Sequence, residues 1–218
     1  MICLSALAMS GTMLAQKPAS DDAKYSLEGN INYDAANGIS WTAPNLRMRY
    51  FVNDNIAARV QLALGSTSDK TNVYEAGGDG TGSYTDKMSN WGIQLGAEYH
   101  LAGTEKMSPY FMAGFSYGMG SMTTNWENYD GSAYLADYMA EVKSSTSSLG
   151  FGIGAGMDYY VADNIYMGLE LGWGWMSMSD RGGSSDMNGT VTDIDPTGSS
   201  SGMGIGEMNT AFRIGWRF

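Results

Sequence analysis

The sequence predicts an all-β protein, an eight-stranded antiparallel up-and-down barrel that crosses a membrane. The 218 residues include 30 glycines and 14 tyrosines but only 4 prolines, a balance that favours strands and turns over helical bundles. Apolar and polar residues alternate over segments of about ten residues, which is the length of a tilted membrane strand. The connections between these segments are alternately short and long, as in barrels that carry long loops on one side of a membrane.

Hydropathy and charge exclude two other classes. After the first residues, no apolar run approaches the roughly 18 to 20 residues of a membrane helix, and the mean hydropathy is −0.24. A closed barrel is the other structure that crosses a bilayer with every backbone group paired. The net charge of −11 argues against nucleic acid as a partner, because phosphate binding needs clustered Lys and Arg.

The first residues read as an export signal. Residues 1–15 are apolar, end at Ala15 and contain Cys3, the single cysteine of the chain, as expected of a signal peptide. The positively charged start of such a peptide is missing, so we expect the start of the chain to be misplaced or truncated. A lipid anchor at Cys3 is not expected, because no apolar run precedes it. Residues 16–23 form an N-terminal segment, and the barrel is expected over 24–218.

The first four strands are predicted over 24–33, 45–51, 56–64 and 91–101. In the second, Leu46 and Met48 alternate with Arg47 and Arg49. One face of each strand is thus apolar and the other polar, because successive side chains point to opposite faces. The second strand could begin earlier, near 41, with a proline inside it.

The other four strands are predicted over 110–119, 149–160, 165–176 and the end of the chain. Glycine occupies most of the polar-face positions of the sixth and seventh strands. The last strand sets Phe212, Ile214 and Trp216 against Arg213 and Arg217, and it ends on an aromatic residue. Chain ends fray unless something holds them, and closure of this strand against the first would hold it.

The connections predict the orientation of the barrel. The turns at 51–56, 102–108 and 160–165 are short, and the first and third are near-copies built on Asp-Asn. The connections at about 67–90, 120–148 and 177–203 are long and rich in Gly, Ser, Thr and Asp. We expect these three to be extracellular loops, and the short turns and both termini to face the periplasm.

These features together resemble a known family. The repeated aromatic-Val-x-Asp-Asn-Ile hairpin, the glycine-rich strands and the ending Trp216-Arg217-Phe218 are similar to the small outer-membrane β-barrels of Gram-negative bacteria, the OmpA, OprF and OmpW group. The resemblance implies residence in the bacterial outer membrane, contact with its lipid and insertion by the barrel-assembly machinery. It also implies that Trp216 and Phe218 are an assembly signal. Because the chain stops at Phe218, no peptidoglycan-binding domain and no wall-anchoring role are expected.

The polar faces predict a charged lumen. The expected lumen ion-pair network has arginines on one side and carboxylates mainly on the other: Glu28, Arg47, Arg49, Arg59, Glu98, Asp158, Glu170, Arg213 and Arg217. His100 and Glu207 are expected to face the lumen as well. An eight-strand lumen is normally filled by side chains, so we favour a plug; a narrow pore or small-molecule passage is the alternative.

Catalysis is not expected, and no catalytic residue is assigned. Barrel hydrolases and acyltransferases, the remote alternative, need a general base beside a nucleophile at the extracellular rim. The only histidine, His100, is predicted at the periplasmic end of the fourth strand instead.

Few ligands are predicted. No cofactor and no metal site are assigned; 77–82 and 193–195 carry oxygen ligands that could hold calcium, but neither matches an EF-hand loop. We expect a monomer whose loops could bind an unidentified extracellular ligand.

Aromatic residues at the strand ends are expected at the two membrane interfaces. The periplasmic set is Tyr25, Phe51, Tyr99, Tyr159, Trp216 and Phe218, and the outer set is Trp41, Trp91, Tyr117, Trp173 and Trp175.

Overall fold

The protein is an antiparallel β-barrel closed by eight strands. The computed structural model describes residues 17–34, 38–205 and 211–218, with backbone only at 30–34, 38–45, 205 and 211. The strands are β1 (Tyr25–Asp34), β2 (Gly38–Phe51), β3 (Ile56–Tyr74), β4 (Thr81–His100), β5 (Met107–Tyr129), β6 (Tyr134–Ala162), β7 (Ile165–Met187), β8 (Thr190–Ile194), β9 (Ser199–Ile205) and β10 (Ala211–Arg217). From β1 to β7 each strand pairs with the next, and β10 closes the ring between β7 and β1. The predicted fold class is confirmed.

The end of the chain is held by the first strand. The Tyr25 amide donates to the carbonyl of Phe218 at 2.8 Å, and the Phe218 amide donates back to Tyr25 at 2.8 Å. The register continues through Leu27 opposite Trp216. The Tyr25 and Phe218 rings stack with their centroids 6.1 Å apart. The final aromatic residue is therefore part of the seam that closes the barrel.

The two faces of the wall are inverted relative to a soluble protein. On β7, Leu169 and Leu171 are exposed on the outside, whereas Glu170 between them is fully buried in the lumen. The same alternation of exposed apolar and buried polar side chains runs along β3, β4 and β6. A continuous exposed apolar belt around a polar interior is the surface that lipid covers.

The short turns form as the Asp-Asn pattern predicts. In the turn between β2 and β3, the side-chain oxygen of Asn53 accepts hydrogen bonds from the amides of Asn55 and Ile56, each at 2.9 Å. In the matching turn between β6 and β7, Asn164 adopts a positive φ of 64°, which asparagine tolerates better than most residues. These turns lie at the end of the barrel that holds both described chain ends.

The strands run much further than the apolar alternation indicates. The connections predicted as loops at 67–90 and 120–148 are mostly strand, and β6 alone spans 29 residues. The segment 177–203 likewise continues β7 and contains β8 and most of β9. The prediction failed there because it followed the apolar residues, whereas the backbone ladder continues through Ser, Thr and Lys.

Beyond the apolar belt, the wall of the barrel is uneven. We call the part of the wall that continues past the apolar belt the extension. It consists of residues 65–74, 81–90, 120–129, 134–147 and 177–187 together with β8 and β9. In it, β3 pairs with β4 as far as Tyr74 opposite Thr81, but with β2 only as far as Asn45 opposite Ala63. Among the described strands, the far edge of β3 beyond Ala63 therefore has no second neighbour.

Candidate functional site

The lumen next to the short turns is filled by a layer of charged side chains. The arginines come from β2, β3 and β10, and the carboxylates come from β1, β4, β6 and β7. Four arginines, Arg47, Arg49, Arg59 and Arg213, meet four carboxylates, Glu28, Glu98, Asp158 and Glu170. We call these eight side chains the lumen network. Their formal charges cancel, as a buried layer requires.

Glu170 lies at a junction of the lumen network. Its carboxylate accepts hydrogen bonds from Arg47 at 2.9 and 3.3 Å and from Arg59 at 3.0 Å. The Tyr110 hydroxyl donates to the same carboxylate at 2.8 Å. Strands β2, β3 and β5 are thus tied to β7 across the barrel.

A second junction lies beside the first, since the Arg213 guanidinium is 3.7 Å from Glu170. Arg213 donates to Glu28 at 2.8 Å and to Asp158 at 3.1 Å. Arg49 donates to Asp158 at 2.7 Å and also forms an ion pair with Glu28. The Tyr166 hydroxyl completes this junction by donating to Glu28 at 2.6 Å.

Glu98 joins the two junctions. Its carboxylate lies 3.2 Å from the Arg49 guanidinium and 3.3 Å from that of Arg59. Since Arg59 also binds Glu170, the eight side chains form one connected network. Removal of one partner from a buried ion pair is costly, because the other charge stays buried without compensation.

Arg217, the ninth predicted member, is not brought into the lumen network. It is fully buried, but it has no carboxylate within ion-pairing distance among the described residues. Its Nε donates to the Ala23 carbonyl at 2.7 Å, and its guanidinium lies 3.6 Å from the centre of the Phe51 ring. Arg217 therefore ties the segment before β1 to the lumen by a hydrogen bond and a cation–π contact.

Phe51 corrects one of the aromatic predictions. Phe51 was predicted at the periplasmic membrane interface, but it is 2 % exposed and lies inside the barrel. It shares the face of Arg47 and Arg49, since residues two apart point the same way. The other periplasmic aromatics, Tyr25, Tyr99, Tyr159, Trp216 and Phe218, are exposed on the outside. Of the outer set, Trp91 and Tyr117 pack edge to face at 5.8 Å.

His100 is a buried hydrogen-bonding residue at the end of β4. Its Nδ1 lies 2.9 Å from the Ser108 hydroxyl, and its Nε2 lies 3.2 Å from Glu98. It is 1 % exposed and close to the turn between β2 and β3, where Asn55 donates to its backbone carbonyl at 3.0 Å. This is the end of the strand at which the sequence predicts it.

Three lumen tyrosines were missed by the sequence analysis. Tyr110, Tyr160 and Tyr166 are each at most 1 % exposed. Tyr110 also accepts a contact from Arg213, so it bridges the two junctions of the lumen network. Strict alternation from the outward Phe111, Tyr159 and Ile165 places all three inside, but only charged residues and histidine were predicted there.

Glycines on the inner face make room for these large side chains. A Cβ at Gly156 would collide with the Tyr110 ring, and one at Gly168 would lie 2.6 Å from the Arg213 guanidinium. Each glycine is the register partner of that large residue on the neighbouring strand, Gly156 of Tyr110 and Gly168 of Arg213. The small inner-face positions thus make room for the large side chains beside them.

Above the lumen network lies a neutral vestibule. It is a cavity of about 370 Å³ beside the extension, and its polar lining includes Gln61, Asn90, Gln94, Ser116 and Ser148. Gln61 and Gln94 also contact the layer below, since Arg47 donates to Gln61 at 2.9 Å and Arg59 donates to Gln94 at 3.4 Å.

A second cavity lies at the end with the short turns. It measures about 630 Å³ and is lined by the segment before β1 and by Asp54, Asp163 and Asn164. The Ser20 amide donates to Asp54 at 2.7 Å. Hydrogen bonding from Ser20 lowers the pKa of Asp54, so this acid holds the segment in place.

The side chains of Trp41 and Glu207 lie outside the described residues. Within the described part of the chain, no group of three or more His, Cys, Asp and Glu could hold a metal ion. The same part contains no helix that is long and apolar enough to span a membrane.

A closed ring of eight strands, apolar outside and ion-paired inside, defines a transmembrane β-barrel of the small outer-membrane class. Over residues 3–191, the chain matches the family described as outer membrane protein beta-barrel domain. The protein belongs to this family, as the sequence resemblance implies, and its place is the bacterial outer membrane. No curated protein matches the chain.

Proposed function

We propose that the protein is a non-enzymatic outer-membrane barrel with a plugged lumen, which holds the extension outside the cell as an interaction surface. The observation that carries the proposal is the closure of the lumen network. All eight of its charged side chains are at most 3 % exposed, and they link strands on opposite sides of the ring. An ion that crosses this layer would have to break several buried ion pairs, which argues for a structural or surface role over conduction.

A non-catalytic role is supported by the position of His100. Both ring nitrogens are already engaged by Ser108 and Glu98, and the ring is buried at the end opposite the extension. A general base must lie within hydrogen-bonding reach of a substrate that can enter. His100 has no unengaged ring nitrogen, and its buried ring is out of reach of a substrate that enters from the extension.

The interaction surface is the free edge of β3. Between residues 64 and 74 this strand has β4 on one side and no described strand on the other, and most of its side chains are exposed. An uncovered strand edge presents unpaired amides and carbonyls to which another chain can add. A protein partner that binds as an additional strand fits this edge.

The orientation can be tested directly. We expect the extension to face outward and the short turns to face the periplasm. With Cys3 replaced by serine, a cysteine at Ala76, which is exposed in the turn between β3 and β4, should react with an impermeant maleimide on intact cells. A matched cysteine at Asn53 should react only after lysis, and the opposite labelling pattern would contradict the proposed orientation.

Conductance tests the plug. In planar bilayers, the wild-type barrel should be silent, and a matched control that replaces an exposed lysine, Lys24→Gln, should be silent too. Heat-modifiable migration on a detergent gel verifies that each sample is folded. Regular conductance steps from the folded wild type would overturn the proposal.

A narrow passage is the second candidate, and the two cavities favour it. The vestibule of about 370 Å³ and the opposite cavity of about 630 Å³ leave mainly the lumen network between them. If the network is a gate, Arg59→Gln or Glu98→Gln should raise conductance. Silence from both folded variants removes this candidate.

A further inference from the structure

The inner face of the extension carries aromatic side chains near its far end. Tyr84 on β4 and Trp126 on β5 are register partners. Each lies an even number of residues from a buried lumen side chain of its own strand, Glu98 on β4 and Tyr110 on β5. Since alternate residues of a strand share a face, both rings point to the inside of the extension. Both are half-buried.

A bulge brings a third ring to the same face. The register shifts between Glu127 and Tyr129, and Asn128 adopts a positive φ of 49°. A bulge re-aims the side chains that follow it, and the Tyr129 ring stacks on that of Tyr84 with the centroids 5.8 Å apart. The Tyr129 hydroxyl donates to the Gly131 carbonyl at 2.8 Å. This hydrogen bond holds the third ring beside the aromatic pair.

The three rings line a cavity that has a carboxylate in its wall. We call this cavity of about 340 Å³ the aromatic pocket; it is lined by Tyr84, Asp86, Thr124, Trp126, Tyr129 and Gly131. Asp86 lies two residues from Tyr84 on the same face, about 7 Å along the strand. Thr124, the register partner of Asp86, donates to one of its oxygens at 2.7 Å and so orients the carboxylate.

No nearby cation neutralises the carboxylate of the aromatic pocket. Among the described residues, no lysine or arginine lies within ion-pairing distance of Asp86. Lys87, the next residue, points to the opposite face, because side chains alternate along a strand. Asp69, the register partner of Asp86 on β3, adds a second negative charge to the inner face. In the extension as a whole, carboxylates outnumber lysines and arginines, so the electrostatic potential favours a positively charged ligand.

We propose that the aromatic pocket binds a small organic cation that carries a quaternary ammonium group. The negative face of an aromatic ring attracts a cation that lies within about 6 Å of its centre, and alkylated ammonium is the cation that aromatic cages recognise. The carboxylate of Asp86 adds Coulomb attraction to that of the rings. The pocket lies on β4 and β5, apart from the free edge of β3, so the inference goes beyond the proposed surface role.

Titration of the folded barrel with choline in maltoside micelles tests the inference. The comparison ligand is dimethylbutanol, the neutral isostere of choline with a carbon in place of the nitrogen. The NMR signals of the Trp126 indole and of the amides of residues 84–86 follow the titration and give the dissociation constant. Heat-modifiable migration verifies that each variant is folded. The wild type should bind choline saturably and more tightly than dimethylbutanol.

Two variants remove the two attractions separately. Asp86→Asn keeps the shape of the side chain but removes its charge, and it should weaken choline binding about fivefold. Tyr84→Leu/Trp126→Leu removes two ring faces and should weaken binding about 30-fold. The matched controls are Glu127→Gln, on the outer face of β5, and Tyr74→Leu, at a ring that is 72 % exposed outside the pocket. Both controls should bind choline as the wild type does.

Several results would overturn the inference. They are no saturable binding of choline by the wild type, equal affinity for dimethylbutanol, unchanged binding by the folded variants, and an equal loss in the matched controls. Tighter binding of methyl glucoside than of choline would also overturn it, since the rings would then serve a sugar. Binding in micelles does not depend on orientation, conductance or a strand partner. A failure here is therefore distinct from a failure of maleimide labelling or of the silent bilayer.

Discussion

Replacement of Glu170 by glutamine should destabilise the barrel by about 3–5 kcal/mol, the usual cost of breaking a buried ion pair on one side. Glu170 is fully buried and accepts hydrogen bonds from Arg47, Arg59 and Tyr110. Glutamine keeps the shape and one acceptor oxygen but removes the charge, so two guanidinium groups lose a counter-ion in the lumen. The loss is a large share of a typical stability of about 5–15 kcal/mol.

Urea unfolding in detergent, followed by tryptophan fluorescence, measures this loss. With a slope of about 2 kcal/mol per molar urea, the midpoint should fall by roughly 2 M. The matched control is Glu127→Gln, because Glu127 is an exposed carboxylate of the extension, and its midpoint should not move. The double variant Glu170→Gln/Arg59→Gln should recover part of the loss, since it restores equal numbers of arginines and carboxylates in the lumen network.

The reasoning is refuted if Glu170→Gln unfolds within about 1 kcal/mol of the wild type, the net value of a single ordinary hydrogen bond. It is also refuted if the double variant is less stable than the sum of the two single variants predicts. Either result would mean that the lumen charges are solvated or independent and do not form one connected network.

Three further predictions follow from the fold. Gly156→Leu should prevent formation of the heat-modifiable folded band on a detergent gel, because the leucine side chain would collide with Tyr110. Gly202→Leu should still fold, since Gly202 has open space around it. Equal folding of both variants would contradict the lumen packing. Hydrogen bonds from Thr197 and Gly182 lower the pKa of Asp180 from 3.8 to about 2. The contribution of Asp180 to the stability of the β7–β9 connection is therefore present above pH 3.8 and is lost as the pH falls to about 2. The amide NMR signals of Thr197 and Gly182 should shift in that window, and signals that do not change with pH would exclude this role. Deletion of Phe218 removes its backbone hydrogen bonds to Tyr25 and should lower the amount of barrel assembled in cells more than it alters the folded barrel; normal surface levels of the truncated chain would contradict the assembly signal.

The sequence predicted the wall of the barrel because alternation is a strong signal where one face meets lipid. Leu169, Glu170 and Leu171 occupy the faces that a period of two assigns to them. The arginines and carboxylates were predicted to meet in the lumen for the same reason. The error at Phe51 came from reading its aromatic character before its position in the alternation.

The individual ion pairs were beyond sequence reasoning. Glu170 binds Arg47 and Arg59 from strands 111 or more residues away in the chain, and which long side chain reaches which carboxylate depends on the stagger of the closed ring. The extension was missed for a different reason. Past Leu64 the alternation of apolar and polar residues ends, but the backbone pairing continues to Tyr74.

Because the lumen network lies at one end of the barrel, each long strand resists local opening more strongly at that end than in the extension. Beside the network, side chains brace opposite walls, so the ring cannot change its radius without breaking ion pairs. Around the vestibule, the cavity separates the opposite walls. There the backbone hydrogen bonds between strands provide most of the resistance to bending. The same strands should therefore exchange their amide hydrogens slowly at one end and quickly at the other. The ring beside the lumen network is stiff and supports a more flexible extension, whose slow shape changes need not disturb the ion pairs below.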